Sequence, residues 1–435
     1  MNFGNKSFYI FMILLGIIYF TFLPSCRKHY KNVNVVLIVI DTLRHDHLPF
    51  YGYKKNTAPF LSEVAAKSVV FEKAFAASSW TAPSTASIFT SLYPFQHGVI
   101  MGFLPRPKKK KVKINRIPEK IKTIPEVLKE NGYYTYGVAN NINICEQEGF
   151  TQGFDVFKKF DYYRGNKKEV NDQLKKWAPK IKINGKYFLY IHYNDPHRPY
   201  HRRKPWYQKG KKIKANIISR YDSEISYVDN MIKEMFVLFE WHKNTVLIIT
   251  SDHGEEFWDH GQRDHGRTLY SEVIQIPFFI YFPERDRQPK RIRSNVSNID
   301  ILPTLRGYLH LDGNQNDEGL NLMPIIFSSK SERNPRYIFS HLHIKLTSKE
   351  ILKKAVIHKN WKCIFNHRDL KELYNLTIDP AEKNNLYNED LKIFNLLKYK
   401  LIEFESNCTK FKQETVELSL DKEKLKELKT LGYVR

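Results

Sequence analysis

The chain has 435 residues, 42% of them hydrophobic and 14% aromatic, enough for a sizeable core, which excludes disorder as the main state. The formal charge is +24, from 70 basic against 46 acidic side chains. Such a balance either spreads lysine over solvated faces or favours an acidic partner, and the absence of a recognised nucleic-acid module removes nucleic acid from the expected ones.

The chain begins MNFGNKSFYIFMILLGIIYFTFLPSC, and the stretch from Phe8 to Leu23 carries no charge. It is shorter than the roughly 20 residues that a spanning helix needs. It ends in LPSC, a small residue before Cys26 with a leucine three places upstream, similar to a lipoprotein signal-peptide box. Residues 1–26 are therefore expected to be a lipoprotein signal, an ordinary signal peptide or a short membrane anchor. Each places the rest outside the cytoplasm, in the periplasm or at the cell surface. The membrane tether would be a lipidated Cys26 or the apolar segment itself. The other cysteines, Cys145, Cys363 and Cys408, show no metal-type spacing, so cysteine does not organise the fold.

Five short apolar runs read as buried parallel strands: VNVVLIVI at 33–40, YYTYGVA at 133–139, YFLYIHY at 187–193, TVLIIT at 245–250 and PFFIYF at 277–282. Helical patterns lie between them, at 124–132 and most clearly at 221–239, where Tyr221, Ile225, Val228, Ile232, Met235 and Phe239 recur at intervals of three and four. A further helix is expected to open at Pro83, which suits a first turn because it lacks the N–H left unpaired there. Strand alternating with helix predicts an α/β sandwich around a mostly parallel sheet over residues 33–330. Residues 331–435 read as a small C-terminal α+β subdomain: short strands forming an antiparallel sheet, then two helices. Lys108 to Lys111, flanked by prolines, reads as an exposed loop.

Open α/β sheets place their sites beyond the carboxyl ends of strands. Asp41 follows the first run, Asn140 and Asn141 the second, His197 the third, and Asp252 and His253 the fourth. Thr81 precedes Pro83, beside the free N–H groups and positive dipole end of a helix, a natural anion site. Five segments thus deliver ligands, hydrogen-bonding groups and a hydroxyl to one edge.

The blocks VVLIVIDTLRHDHLPFYGY, WTAPSTASIFTSLYPFQHG, YIHYNDPHRPY, TSDHGEEFWDHGQRDHGRTLYSEVIQIPFFIY and ELYNLTIDPAEKNNL, in this order, resemble the sulfatases of the alkaline phosphatase superfamily over residues 33 to 435. The resemblance implies an alkaline-phosphatase-like fold. It further implies that Asp41, Asp252 and His253 bind one divalent metal ion, with Thr81 completing the site as nucleophile. His197 and His265 would contact the anionic head or leaving group of the ester, with Asn140 a candidate for the same duty. Arg44 and His260 would stand behind them.

Sulfatases of the best-known type carry cysteine or serine at the position of Thr81, oxidised to formylglycine, and arginine where this chain has Thr85. Threonine does not give that aldehyde, so a formylglycine mechanism is not expected. The donor set favours Mn²⁺ or Zn²⁺ and also admits Ca²⁺. The expected activity is hydrolysis of a sulfate or phosphate ester, the anionic ester being the partner. Two other readings stay open: transfer of a phosphate-linked headgroup to a surface lipid or glycan, and anion or glycan binding by an inactive sulfatase scaffold.

Overall fold

A computed structural model describes residues 33–103, 111–161, 168–328, 335–345, 350–366 and 370–430. The apolar run ahead of Cys26 and Lys108 to Lys110 lie outside the described residues. Among the described residues no helix is long and apolar enough to cross a membrane.

Eight strands build the large sheet: β1 (Asn34–Ile40), β2 (Val69–Phe75), β3 (Tyr134–Ala139), β4 (Val156–Lys159), β5 (Tyr187–Tyr193), β6 (Thr245–Thr250), β7 (Gln275–Tyr281) and β8 (Lys290–Ser297). Their spatial order is β8-β2-β7-β6-β1-β5-β3-β4. The central strands are apolar throughout because helices cover both faces. Val36, Ile38 and Ile40 of β1, with Leu189, Ile191 and Tyr193 of β5, pack against Tyr221, Ile225, Val228 and Ile232. On the other face, Phe89 meets Tyr190 edge-on with ring centroids 4.8 Å apart. Phe89 belongs to α1 (Thr81–Thr90), and Tyr221 to Ile232 belong to α2 (Ile213–Leu238).

The expectation that 277–282 runs parallel is corrected: β7 is antiparallel to both β2 and β6, while every other neighbouring pair is parallel. The chain leaves β6 and re-enters the sheet at the same edge without a helical crossover, so the next strand must run backwards. α2 begins at Ile213, eight residues before the expected start, and α1 begins at Thr81 itself rather than at Pro83. β2, β4 and β8 were not expected. Glu72 and Lys73 interrupt the apolar run of β2, and β8 is an edge strand whose Lys290, Arg291 and Arg293 serve as protection against further pairing. Lys111 is not in a loop: Lys111–Arg116 pairs antiparallel with Glu414–Ser419.

The small sheet is antiparallel, its four strands (Tyr337–Lys345, Glu350–His358, Trp361–Phe365 and Lys371–Asn375) adjacent in chain order. Its Phe339, Val356, Cys363 and Leu373 bury against Phe394, Leu397 and Leu401 of the helix Leu391–Asn407. The first of these strands holds the segment leading to α1: His341 N–H donates to the Ala77 carbonyl at 2.8 Å and Ser340 Oγ to the Ala76 carbonyl at 2.6 Å. The small sheet also grips the loop after β6. Lys362 Nζ lies 2.7 Å from Glu382 Oε1, both side chains fully buried, and Glu382 Oε2 accepts the Ser271 N–H at 2.6 Å. Removing one partner of such a pair strands the other charge in the interior. Lys362→Ala is expected to cost about 3–5 kcal/mol, and Lys362→Met with Glu382→Gln to recover most of it. Thermal unfolding of the single and double variants checks this.

Candidate active site

The strand registers carry the site's side chains to one place. Val39 pairs with both His192 of β5 and Thr250 of β6, so the carboxyl ends of the three strands are level. Asp41 N–H then donates to the Tyr193 carbonyl at 2.9 Å, and Ser251 Oγ donates to the Ile40 carbonyl at 2.7 Å. These bonds set Asp41 beside Asp252. Thr42, between Asp41 and the loop behind it, sits in the left-handed region at φ 58°. A β-branched residue there is strained, as residues at functional sites often are. Its N–H points at Asp252 Oδ1, 3.4 Å away.

Asp41, Asp252 and His253 are completely buried and Thr81 is 1% exposed. His253 Nε2 lies 3.6 Å from Asp41 Oδ1, 3.5 Å from Asp252 Oδ2 and 3.3 Å from Thr81 Oγ1. His253 Nδ1 donates to the Gly254 carbonyl at 2.8 Å, which leaves a lone pair on Nε2. Asp41 Oδ1 and Asp252 Oδ2 have no hydrogen-bond partner. Burial and then the Asp41 carboxylate push the Asp252 pKa well above the ordinary range. Burial also works against a charged Asp41, but His192 first and then His197 hold it below that range. Burial, followed by His265, keeps His253 far below its usual value, so its ring is neutral. Two converging carboxylates, a neutral imidazole and a hydroxyl are the donor set a divalent cation requires, and the orphaned oxygens fit one.

Thr81 is the first residue of α1, and no side chain caps that helix end. Pro83 has no N–H and Ser84 N–H goes to the Trp80 carbonyl at 3.3 Å, so the N–H groups of Thr81 and Ala82 are the ones this helix end offers to an anion. Ser84 Oγ, one turn on, donates to the Asp252 carbonyl at 2.5 Å and accepts from Asn298 Nδ2 at 2.9 Å, fixing the helix start against the carboxylate loop.

His265 stands with its ring centroid 4.3 Å from that of His253 and 5.0 Å from that of His197. Its Nδ1 meets Glu255 Oε1 at 3.0 Å, and Glu255 Oε2 accepts from Tyr200 Oη at 2.9 Å. Burial opposes charge on His265, yet Glu255 and Asp41 raise its pKa above the usual value. His197 Nδ1 is turned to the Arg198 carbonyl at 2.7 Å. Arg44 grips Asp46 and Asp259 and donates to the Glu255 carbonyl at 2.9 Å. His260 pairs with Glu272 at 2.6 Å and stacks on Tyr270, away from the carboxylates.

Asn140 uses its side-chain oxygen to accept the Asn194 N–H at 2.8 Å. Its neighbour Asn141 is the residue that reaches the cluster, donating to Asp41 Oδ2 at 2.5 Å and to Asn194 Oδ1 at 2.6 Å. His192 was missed by sequence reasoning because it lies inside a strand. Its signal was a lone imidazole in the otherwise apolar and aromatic run YIHY. Glu255, inside TSDHGEE, was missed for lack of any local pattern.

The family model "Sulfatase" matches residues 33–311. The chain belongs to the sulfatase family. A second model, N-sulphoglucosamine sulphohydrolase C-terminal, matches residues 258–407. Among curated relatives, this sulfatase-family hydrolase is 21% identical over 434 residues to the uncharacterized sulfatase YidJ of Escherichia coli K12, covering 82% of this chain and 84% of that one. It is 20% identical over 461 residues to a Delta 4,5-hexuronate-2-O-sulfatase of Bacteroides thetaiotaomicron, covering 93% and 94%. Among solved structures, a 2-O GAG sulfatase superposes with TM-score 0.72 at 18% identity, over 86% of this chain and 93% of that one. The phosphonate monoester hydrolase of Agrobacterium radiobacter superposes with TM-score 0.70 at 16% identity, over 86% and 95%. This sulfatase thus carries the fold of sulfuric ester hydrolases of the alkaline phosphatase superfamily, with threonine at position 81.

The loop bearing Asp252 to Glu255 lies flat on the following segment: Gly254 N–H bonds the Val273 carbonyl at 2.9 Å and Glu255 N–H the Glu272 carbonyl at 3.1 Å. A Cβ on Gly254 would stand 2.0 Å from the Glu272 carbonyl oxygen. Gly254→Ala is expected to lower stability by about 1–3 kcal/mol and to displace His253 and Glu255. A reduced melting temperature together with reduced metal uptake is the expected result.

Proposed function

We propose that this chain is a metal-dependent hydrolase of an anionic sulfate or phosphate ester, with Thr81 as its nucleophile. The observation that carries this reading is Thr81 Oγ1 at an uncapped helix N-terminus, 3.3 Å from His253 Nε2 and beside two unpartnered carboxylate oxygens. Asp41, Asp252, His253 and Thr81 would hold the ion, Mn²⁺ or Zn²⁺ suiting the donors better than Ca²⁺. When bound, a divalent ion lowers the pKa of a hydroxyl and offsets charge on a transferring group. Thr81 Oγ1 forms the bond to sulfur or phosphorus as the ester oxygen departs, and the N–H groups of α1 stabilise the charge that builds on the transferred group. His265, whose pKa Glu255 raises against its burial, stands beside His197 to protonate the leaving oxygen.

Threonine tilts the reading toward phosphoryl chemistry. A formylglycine hydrate takes the sulfuryl group on one oxygen and expels it with the other, and a sulfated threonine has no such exit. A phosphothreonine is resolved by in-line attack of water. The relatives named as 2-O-sulfatases and the neighbour named a phosphonate monoester hydrolase support an anionic ester as substrate. The uncharged run Phe8 to Leu23 ahead of Cys26 supports export and a membrane tether.

Asp252→Ala is expected to lose the stoichiometric metal that the parent protein retains, as measured by elemental analysis. Thr81→Ala is expected to keep the fold and lose nearly all turnover, with Thr81→Ser keeping part, on a panel of aryl sulfates, phosphomonoesters, phosphodiesters and phosphonates. Activity should not require a formylglycine-generating partner. Wild-type rates in Thr81→Ala on the best substrate would reduce the threonine to a helix residue and sink this mechanism.

A further inference from the structure

The buried cluster contains one more side chain than the nucleophile and its three neighbours. His192 is the penultimate residue of β5 and is completely buried. Alternation along the strand places it on the same face as Tyr190, the face covered by α1. Its Nε2 lies 3.5 Å from Asp41 Oδ2 and has no hydrogen-bond partner. That separation exceeds the 2.7–3.2 Å of an N–H···O bond. Asp41 Oδ2 is moreover already engaged at 2.5 Å by Asn141 Nδ2. The other ring nitrogen, Nδ1, is 2.8 Å from Tyr190 Oη.

A buried imidazole nitrogen left without a partner is costly unless something accepts its lone pair. Two other buried atoms beside it, Asp41 Oδ1 and Asp252 Oδ2, are equally unpartnered. Asp41, His192 and Asp252 each offer one ligand atom, and the three atoms lie within 4.8 Å of one another. Two carboxylate oxygens and a ring nitrogen, from three different strand ends, are mutually satisfied by one cation. The contact with Tyr190 admits the tautomer this requires: when Nδ1–H donates to Tyr190 Oη, Nε2 is left basic, the arrangement that outer hydrogen bonds impose on metal-ligating histidines.

We propose that His192 is a further ligand of the divalent ion, oriented by Tyr190, and that it turns the site from calcium towards a transition metal. The inference rests on reading the Asp41–Asp252 cluster as a metal site. Calcium is bound by six to eight oxygens. Here His192 groups with the Asp41 and Asp252 carboxylates, and His253 approaches the same two carboxylates at 3.6 and 3.5 Å, a nitrogen-containing set that suits Zn²⁺ or Mn²⁺.

The test uses the full chain stripped with chelator, titrated calorimetrically with Zn²⁺, Mn²⁺ and Ca²⁺ in wild type, His192→Asn, Tyr190→Phe and Asp252→Ala. X-ray absorption of the Zn²⁺-loaded wild type, which depends on no variant folding, counts imidazole ligands directly. The expected results are two imidazoles in wild type and one in His192→Asn. Zn²⁺ affinity should fall roughly 10–100-fold in His192→Asn, with Ca²⁺ affinity changed far less, and Tyr190→Phe should weaken Zn²⁺ to a smaller extent. One imidazole in wild type, or unchanged Zn²⁺ affinity in folded His192→Asn, overturns the role of His192 while leaving the metal site standing. Failure of wild type to bind any of the three ions, or equal binding by Asp252→Ala, overturns the reading of the site and this inference with it.

Discussion

Two carboxylates, Asp41 and Asp252, meet in the interior, and among the described residues no lysine or arginine pairs with either of them. Leaving two such groups charged and uncompensated costs several kcal/mol each. The nearest guanidinium in sequence, Arg44, is committed to Asp46 and Asp259. What stands beside the carboxylates instead is the neutral ring of His253, the amide of Asn141 and the hydroxyl of Thr81, with His192 Nε2 3.5 Å from Asp41. Neutral donors around a pair of acids do not balance charge. They leave a place that a cation from outside the chain would fill. The raised pKa of Asp252 beside the lowered pKa of Asp41 expresses the same imbalance, since the apo pair accommodates one negative charge more readily than two.

Everything that positions this cluster follows from the level carboxyl ends of β1, β5 and β6. A shift of one residue in either register would carry Asp41 or Asp252 to the other side of the sheet. The sheet is buried on both faces, so the apolar patterns of the three strands specify register strongly, and the acids inherit that precision. Thr81 comes from elsewhere, on α1, and is held from two sides. Ser84 ties the helix start to the Asp252 carbonyl, and the small sheet holds the chain at Ala76 and Ala77. The C-terminal strands show no chemical motif of their own, yet they brace the segment that presents Thr81.

The central strands and the site edge were legible in the sequence because full burial leaves long apolar runs, and because each run is followed at once by a polar residue. Asp41, Asp252 and His253 could be read for that reason and Thr81 for its place before Pro83 at a helix start, and the structure brings them within a few ångströms. Legibility failed where charge and apolarity mix. β2 carries Glu72 and Lys73 in its middle, and β8 is a basic edge. The direction of β7 depends on the absence of a crossover, a property of the whole loop rather than of the strand. His192 was hidden for a different reason: it forms part of a strand pattern and of the site at once, and periodicity reports only the first. The choice of Asn140 over Asn141 had no support in local pattern, since both follow β3, and only the hydrogen bonds assign Asn140 to the Asn194 backbone and Asn141 to Asp41.

The threonine at position 81 and the imidazole at position 192 bear on the same chemical problem. A geminal diol has two oxygens and ejects its sulfuryl group without a further nucleophile, so a weakly polarising calcium site is sufficient for it. A threonine hydroxyl has one oxygen and a high pKa. It must be ionised more strongly to attack, and the adduct must then be opened by water. Both demands rise with the Lewis acidity of the ion beside it, which increases from Ca²⁺ to Mn²⁺ and Zn²⁺. A second nitrogen donor is the change that would retain such an ion among few ligands. On the proposed reading Thr81 and His192 belong together: a chain that departs from the formylglycine pattern at position 81 would compensate in the donors offered to the ion.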